Sequence, residues 1–203
     1  MPTRPLTPRR RPRQGRAVVT FDAIVEAAEV LLRRAGLDGF NTNAVAELAG
    51  VSIGSLYQYF PDKDALMAEI VRRDGARFLA SLREVVTAPD LPAKAALHAL
   101  IERAVAHQLD DPTLAAIIDG EQARLPLEEE DAALRREIVG LVATVLARLD
   151  PAPPDPTVAA LDLLGIARGL LDTAAAEGER DAARARRRLE RAAFGYLGID
   201  ARA

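Results

Sequence analysis

Residues 42–66 read TNAVAELAGVSIGSLYQYFPDKDAL, two short apolar-patterned segments parted by a glycine, then a proline and an acid-flanked lysine. In the first segment Val45, Ala46 and Ala49 fall on one helical stripe, with Asn41 or Thr42 placed to cap it and Gly50 to stop it. Ser52 is placed to cap a second helix of about two turns, in which Leu56 and Phe60 lie four apart and share an inward face. The other face holds Gly54, Ser55, Tyr57 and Gln58. A glycine inside a helix costs about 1 kcal/mol relative to alanine. Its place on an outward face therefore implies that something approaches the backbone there. Two of the chain's three tyrosines flank Gln58, and the resulting surface suits nucleic acid. Ser and Tyr hydroxyls reach phosphate oxygens, and a Gln amide pairs with the N6 and N7 edge of adenine in the major groove. Pro61 suits the first position of a third helix, with Asp62 and Asp64 at the positive end of its dipole. Lys63 is unfavourable at that end, which points either to an external phosphate or to pairing with Asp62 or Asp64.

These residues resemble the TetR family of bacterial transcriptional regulators, whose pattern runs T, I-A-x-x-A-G-V-S, G-x-L-Y-x-Y-F and K-x-x-L. Here it stands as Thr42, Val45-Ala46, Ala49-Gly50-Val51-Ser52, Gly54, Leu56-Tyr57, Tyr59-Phe60, Lys63 and Leu66, in register and nearly unbroken. The resemblance spans residues 20–71, about a quarter of the chain. It implies that Thr42, Asn43, Ser52, Ile53, Gly54, Ser55, Tyr57, Gln58, Tyr59 and Lys63 supply most DNA contacts, whereas Leu56 and Phe60 are core. Asn43 and Gln58 fall where family members vary, so they bear on which operator is read. The resemblance also implies a C-terminal ligand-binding and dimerisation domain that releases the operator when a small-molecule effector binds.

The rest of the composition is compatible with that reading. The chain has 203 residues, 49% apolar and 28% charged, which suffices for a sizeable core in one or two domains. Only 4% of residues are aromatic, so the core must come from Leu, Ile, Val and Ala, and the Ala and Arg richness favours helices. With no cysteine, disulfides and thiolate metal sites are excluded. Neither a membrane span nor a secretory signal is visible, so the cytoplasm is expected. The formal charge of −3 hides an asymmetry, because residues 1–19 carry six arginines and no acid, leaving 21 bases against 30 acids in the remainder. This Pro-rich stretch reads as a disordered basic arm, either reaching DNA phosphates or the minor groove or simply solvated.

An all-α fold follows from the periodicity. Thr20 begins a helix with Ile24, Ala27, Ala28, Leu31 and Leu32 at helical spacing and Gly36 as its stop, completing a helix-turn-helix unit over residues 20–66. Residues 67–203 are expected to be helical as well, and the resemblance makes them the regulatory and dimerisation domain. The helix from Pro61 runs to about Val86, where Gly75 is a bend, a packing site or a neutral substitution. Further helices are expected around Leu97–Val105, from Pro112 to Asp119, from Glu128 to Leu149, from Asp155 and from Asp181 to about Tyr196. The last two, joined by a tight turn, are suited to a four-helix bundle with a second copy, the alternative being packing within one chain. Arg168 and Asp172 pair with each other or across that interface.

Metal and catalytic readings are weak. His98 and His107 are nine residues apart and face opposite ways on one helix, so a shared metal is not expected. No nucleophile elbow, P-loop, dinucleotide turn or paired-His spacing occurs, and no cofactor, metal site or enzyme activity is expected. The expected partners are double-stranded operator DNA, a second copy and a small-molecule effector, without a membrane. The competing possibility is an effector-independent or architectural regulator whose C-terminal domain only dimerises.

Overall fold

A computed structural model of the chain describes residues 6–9 and 15–200. Among these residues every regular element is a helix: α1 (Arg16–Gly39), α2 (Thr42–Leu48), α3 (Ile53–Tyr59), α4 (Lys63–Thr87), α5 (Ala93–Leu109), α6 (Pro112–Arg124), α7 (Glu128–Leu146), α8 (Pro156–Ala176) and α9 (Ala182–Leu197). They sort into two compact units, one from the described part of Met1–Asp74 with Thr113–Leu127, the other from Gly75–Pro112 with Glu128–Ala203. The division therefore falls inside α4 rather than after Leu66, and α6 belongs to the first unit.

The first unit is built on small caps and a few large apolar side chains. Asn41, not Thr42, caps α2, its Oδ1 accepting from the Ala44 N–H at 2.9 Å. Gly50, at φ 67°, takes the left-handed conformation that ends α2 and begins the turn. Ser52 caps α3 through its Oγ, which accepts from the Ser55 N–H at 3.0 Å. Asp62 caps α4 by accepting from Ala65 N–H at 2.9 Å. Pro61 thus precedes the cap instead of opening the helix, and Lys63 becomes the first helical residue. Leu56, Phe60, Leu66 and Ile70 are fully buried with Ile24, Val25 and Leu32, and Phe21 stacks on Phe60 with centroids 5.0 Å apart. Each such side chain contributes roughly 1.5–3 kcal/mol by leaving water. Leu114 and Ile118 of α6, with Leu125 and Leu127 after it, enter this same core.

Helix α1 begins at Arg16, four residues before Thr20, because Ala17 and Val18 are half-buried and extend its packed face. Gly36 interrupts it as expected, at φ 60° and ψ −165°, after which the chain adds one further turn to Gly39.

In the second unit α8 packs between α7 and α9, and α5 lies against α7, α8 and α9. Val145, Leu146, Leu163, Leu189 and Phe194 are among its buried residues. Asp155 accepts from the N–H groups of Thr157 and Val158 at 2.9 and 3.1 Å, so the Asp–Pro pair does start α8. Asp181 caps α9 in the same way through Arg184 N–H. Gly75 proves to be a packing site, since a Cβ there would lie 2.7 Å from Leu134 Cδ2. The two histidines have separate structural partners. His98 Nδ1 lies 3.0 Å from Glu190 and its ring tilts over Phe194, whereas His107 stacks on Phe78 at 4.3 Å.

Candidate nucleic-acid interface

The seven residues of α3 divide cleanly by face. Leu56 and Tyr59 point into the core, whereas Ile53, Gly54, Tyr57 and Gln58 are exposed. Around Gly54 nothing but Ser52 Oγ, at 3.8 Å, would meet an added Cβ, so the space over this glycine is open. The glycine is therefore not required by packing within the chain. Tyr57 is held upright by its hydroxyl, 3.1 Å from Thr42 Oγ1 on α2. That contact joins two of the expected DNA-binding residues and ties the recognition helix to the helix before it. Ser52 and Ser55 hydroxyls lie 2.8 Å apart at the start of α3. Asn43 is exposed on α2, one position after Thr42.

Tyr59 departs from the expected face. The residue is only 9% exposed, and its ring sits edge-on to Phe21 at 5.9 Å. Residues three apart on a helix share a face, so Tyr59 follows Leu56 inward. Its ring packs in the core and helps hold the helix.

Lys63 is exposed at the first position of α4. Its ammonium lies over the Phe40 ring, 5.2 Å from the centroid, and no carboxylate pairs with it among the described residues. The neighbouring acids are occupied elsewhere. Asp62 caps the helix, and Asp64 accepts from Arg124 Nη2 at 2.6 Å. Pairing of Lys63 with Asp62 or Asp64 is therefore not found among the described residues, and its charge stands beside an anion-favouring helix terminus.

Arg124 fastens the C-terminal end of α6 beside this edge. Besides Asp64, its Nε and Nη2 reach Glu121, the latter at 2.6 Å, so one guanidinium bridges two carboxylates. Hydrogen bonding to Glu121 first, and to Asp64 second, holds the Arg124 guanidinium above its ordinary range. Glu121 is buried at 7% exposure and depends on that partner. No periodicity argument could have shown the Asp64 half of this bridge, because Arg124 and Asp64 are 60 apart in sequence.

The basic arm is described only in part. Residues 1–5 and 10–14, with Arg4, Arg10, Arg11 and Arg13, lie outside the described residues, so the disorder expected of the arm is not addressed there. Residues 6–9 lie on the first unit. Arg72 Nη1 donates to the Leu6 carbonyl at 2.9 Å, and Arg9 N–H donates to the Tyr59 carbonyl at 2.8 Å.

A short recognition helix with an open glycine on its outer face, propped from a preceding helix across a glycine turn, defines a helix-turn-helix DNA-binding unit. The sequence matches the model of bacterial regulatory proteins of the tetR family over residues 24–70, and that of a tetracyclin repressor-like C-terminal domain over residues 92–197. The chain belongs to the TetR family of DNA-binding transcriptional regulators. It is 31% identical to an uncharacterised HTH-type transcriptional regulator of Mycobacterium tuberculosis, covering 70% of this chain and 68% of that one. Among solved structures, a TetR-like regulator from Rhodococcus sp. RHA1 aligns over 93% of this chain and all of its own at 23% identity, with a TM-score of 0.66. SmeT of Stenotrophomonas maltophilia, the repressor of a multidrug efflux pump, aligns over 86% of this chain and 88% of its own at 22% identity and the same TM-score. SmeT is also known in complex with triclosan. No described helix is long and apolar enough to cross a membrane.

Proposed function

We propose that the chain is a dimeric repressor, acting in the cytoplasm, that leaves a palindromic operator when a small molecule binds its C-terminal unit. The observation that carries the DNA half is the pairing of an open, glycine-bearing face on α3 with the uncompensated Lys63 at the start of α4. Thr42, Asn43, Ser52, Ile53, Gly54, Ser55, Tyr57, Gln58 and Lys63 make the contacts in this reading. Gln58 and Ile53 meet base edges, and the hydroxyls and Lys63 meet phosphates.

The dimer reading rests on α8. Val158, Leu161, Gly165, Arg168 and Asp172 recur at alternating spacings of three and four, and all are exposed in the single chain. Val158 and Leu161 are 50% and 41% exposed, and open space surrounds Gly165. An apolar and small-residue stripe of this kind supports close helix–helix approach across a two-fold axis. Arg168 and Asp172 pair within the helix at 3.5 Å and lie along the same stripe. A two-fold dimer would place its recognition helices on half-sites one helical turn apart, roughly 34–36 Å, or a multiple of it.

Effector and operator would favour different dimer geometries, and each would weaken the other's affinity by the same factor. That SmeT is known with triclosan supports looking for an effector in this chain. The test is retention and footprinting of DNA from beside the chain's own gene, repeated with compounds that raise the melting temperature. A symmetric footprint lost on adding such a compound supports the reading. Absence of retention at every salt concentration overturns the DNA half. A footprint indifferent to every stabilising compound favours the effector-independent regulator.

A further inference from the structure

Residues 6–9 reach the C-terminal end of α3. The last carbonyls of a helix have no intrahelical donor, and here the shortage is sharpened by Pro61. Residue 61 would normally offer its N–H to the Tyr57 carbonyl, and proline has none. Arg9 stands in for it. Its Nη1 donates to the Tyr57 carbonyl at 3.4 Å while its backbone N–H donates to the Tyr59 carbonyl at 2.8 Å. Three residues upstream of that cap the segment is fixed again, because the Leu6 carbonyl accepts from Arg72 and the Leu6 side chain packs on the first unit's core. The backbone is therefore pinned at both ends of a short stretch, and the side chain of Arg9 is exposed. No carboxylate pairs with this guanidinium among the described residues.

We propose that residues 6–9 form a clip that docks a fixed cation, Arg9, at the C-terminal end of the recognition helix, where its guanidinium binds a phosphate of the operator backbone. This rests on the DNA-binding reading above. A cation at that end is favoured by the helix dipole in the free protein. The guanidinium has five donors and needs only one for the Tyr57 carbonyl, so it can hold that carbonyl and meet a phosphate with its remaining fork. Holding the backbone in place reduces the ordering cost that a free arm would meet on binding. Lys63 and Arg9 would then be two phosphate anchors on the unit that carries α3, one on the residue opening α4 and one at the clip.

The test uses the full chain and the duplex that the wild-type protein itself selects from a random pool, with affinity measured across a series of salt concentrations. Arg9→Gln keeps the backbone cap and a polar side chain but removes the charge. Its expected result is about a tenfold loss of affinity near physiological salt and a log–log salt slope shallower by about one. Arg9→Lys should keep the slope near that of wild type. A melting curve confirms that each variant is folded. A purely helix-capping Arg9 would cost affinity without changing the slope, so an unchanged slope in Arg9→Gln overturns the proposal. Failure of the wild-type chain to select any duplex overturns the regulator reading itself, and that result requires no variant.

Discussion

Gly54 is the residue at which stability and function separate. It lies in the first turn of α3 with open space where a Cβ would be. Gly54→Ala is therefore expected to stabilise the free chain, by up to about 1 kcal/mol from helix propensity alone. The same methyl would stand between the α3 backbone and the bases, so operator affinity should fall although the melting temperature rises. Parallel melting and titration measurements check this, and a variant that binds as well as wild type would show that nothing approaches the backbone there. Gln58 and Lys63 should divide differently. Gln58→Ala is expected to relax preference at one base pair, with about 1–3 kcal/mol of discrimination lost there. Lys63→Ala should weaken all sequences alike and reduce the salt slope by about one. Competition among single-base operator variants separates the two, and identical profiles would refute the division.

At the scale of elements, α2 and α3 were readable before any coordinates because each of their signals is local. Asn41, Gly50 and Ser52 cap and stop helices by bonds within three or four residues, and Leu56 with Phe60 marks the inward face by spacing alone. The inward packing of the Tyr59 ring was not legible, because a seven-residue helix offers too few turns for spacing to separate its inward edge from its outward one. Membership of α6 in the first unit was invisible for a different reason. Leu114 and Ile118 announce an apolar face without saying which core it meets. Its anchor, Arg124 to Asp64 and Glu121, depends on a contact between distant parts of the chain. The consequence can be measured. Arg124→Ala strands the buried Glu121 and frees the first turn of α4, while half of the Arg124 side chain is already in water. A loss of about 1–2 kcal/mol in chemical denaturation is expected, well below the cost of breaking a fully buried pair. Operator affinity should fall with it while the salt slope stays that of wild type, since Arg124 is committed to carboxylates and has no role on phosphates. A slope change would instead assign Arg124 to the DNA surface.

For the whole molecule the decisive quantity is the number of recognition helices delivered together. In the proposed reading one α3 offers few side chains to base edges, and each good base contact discriminates by only about 1–3 kcal/mol. A single unit therefore selects a site poorly against a genome's excess of competing sequence. Two units on one dimer convert the second half-site into an intramolecular event, which raises affinity by about 10²–10⁴ without a new contact. If α8 supplies that dimer, Leu161 is the place to break it. Leu161 is 41% exposed in the single chain, so Leu161→Arg is expected to leave the fold and melting temperature of the monomer nearly unchanged. In a two-fold interface the substitution appears twice and sets like charges near one another. Sedimentation should then report a monomer, and affinity for the full palindrome should fall by at least about a hundredfold. Affinity for an isolated half-site should not move, because α3 is untouched. A Leu161→Arg chain that still sediments as a dimer and still holds the palindrome would remove α8 from the interface. Loss of half-site binding as well would trace the defect to the recognition unit instead.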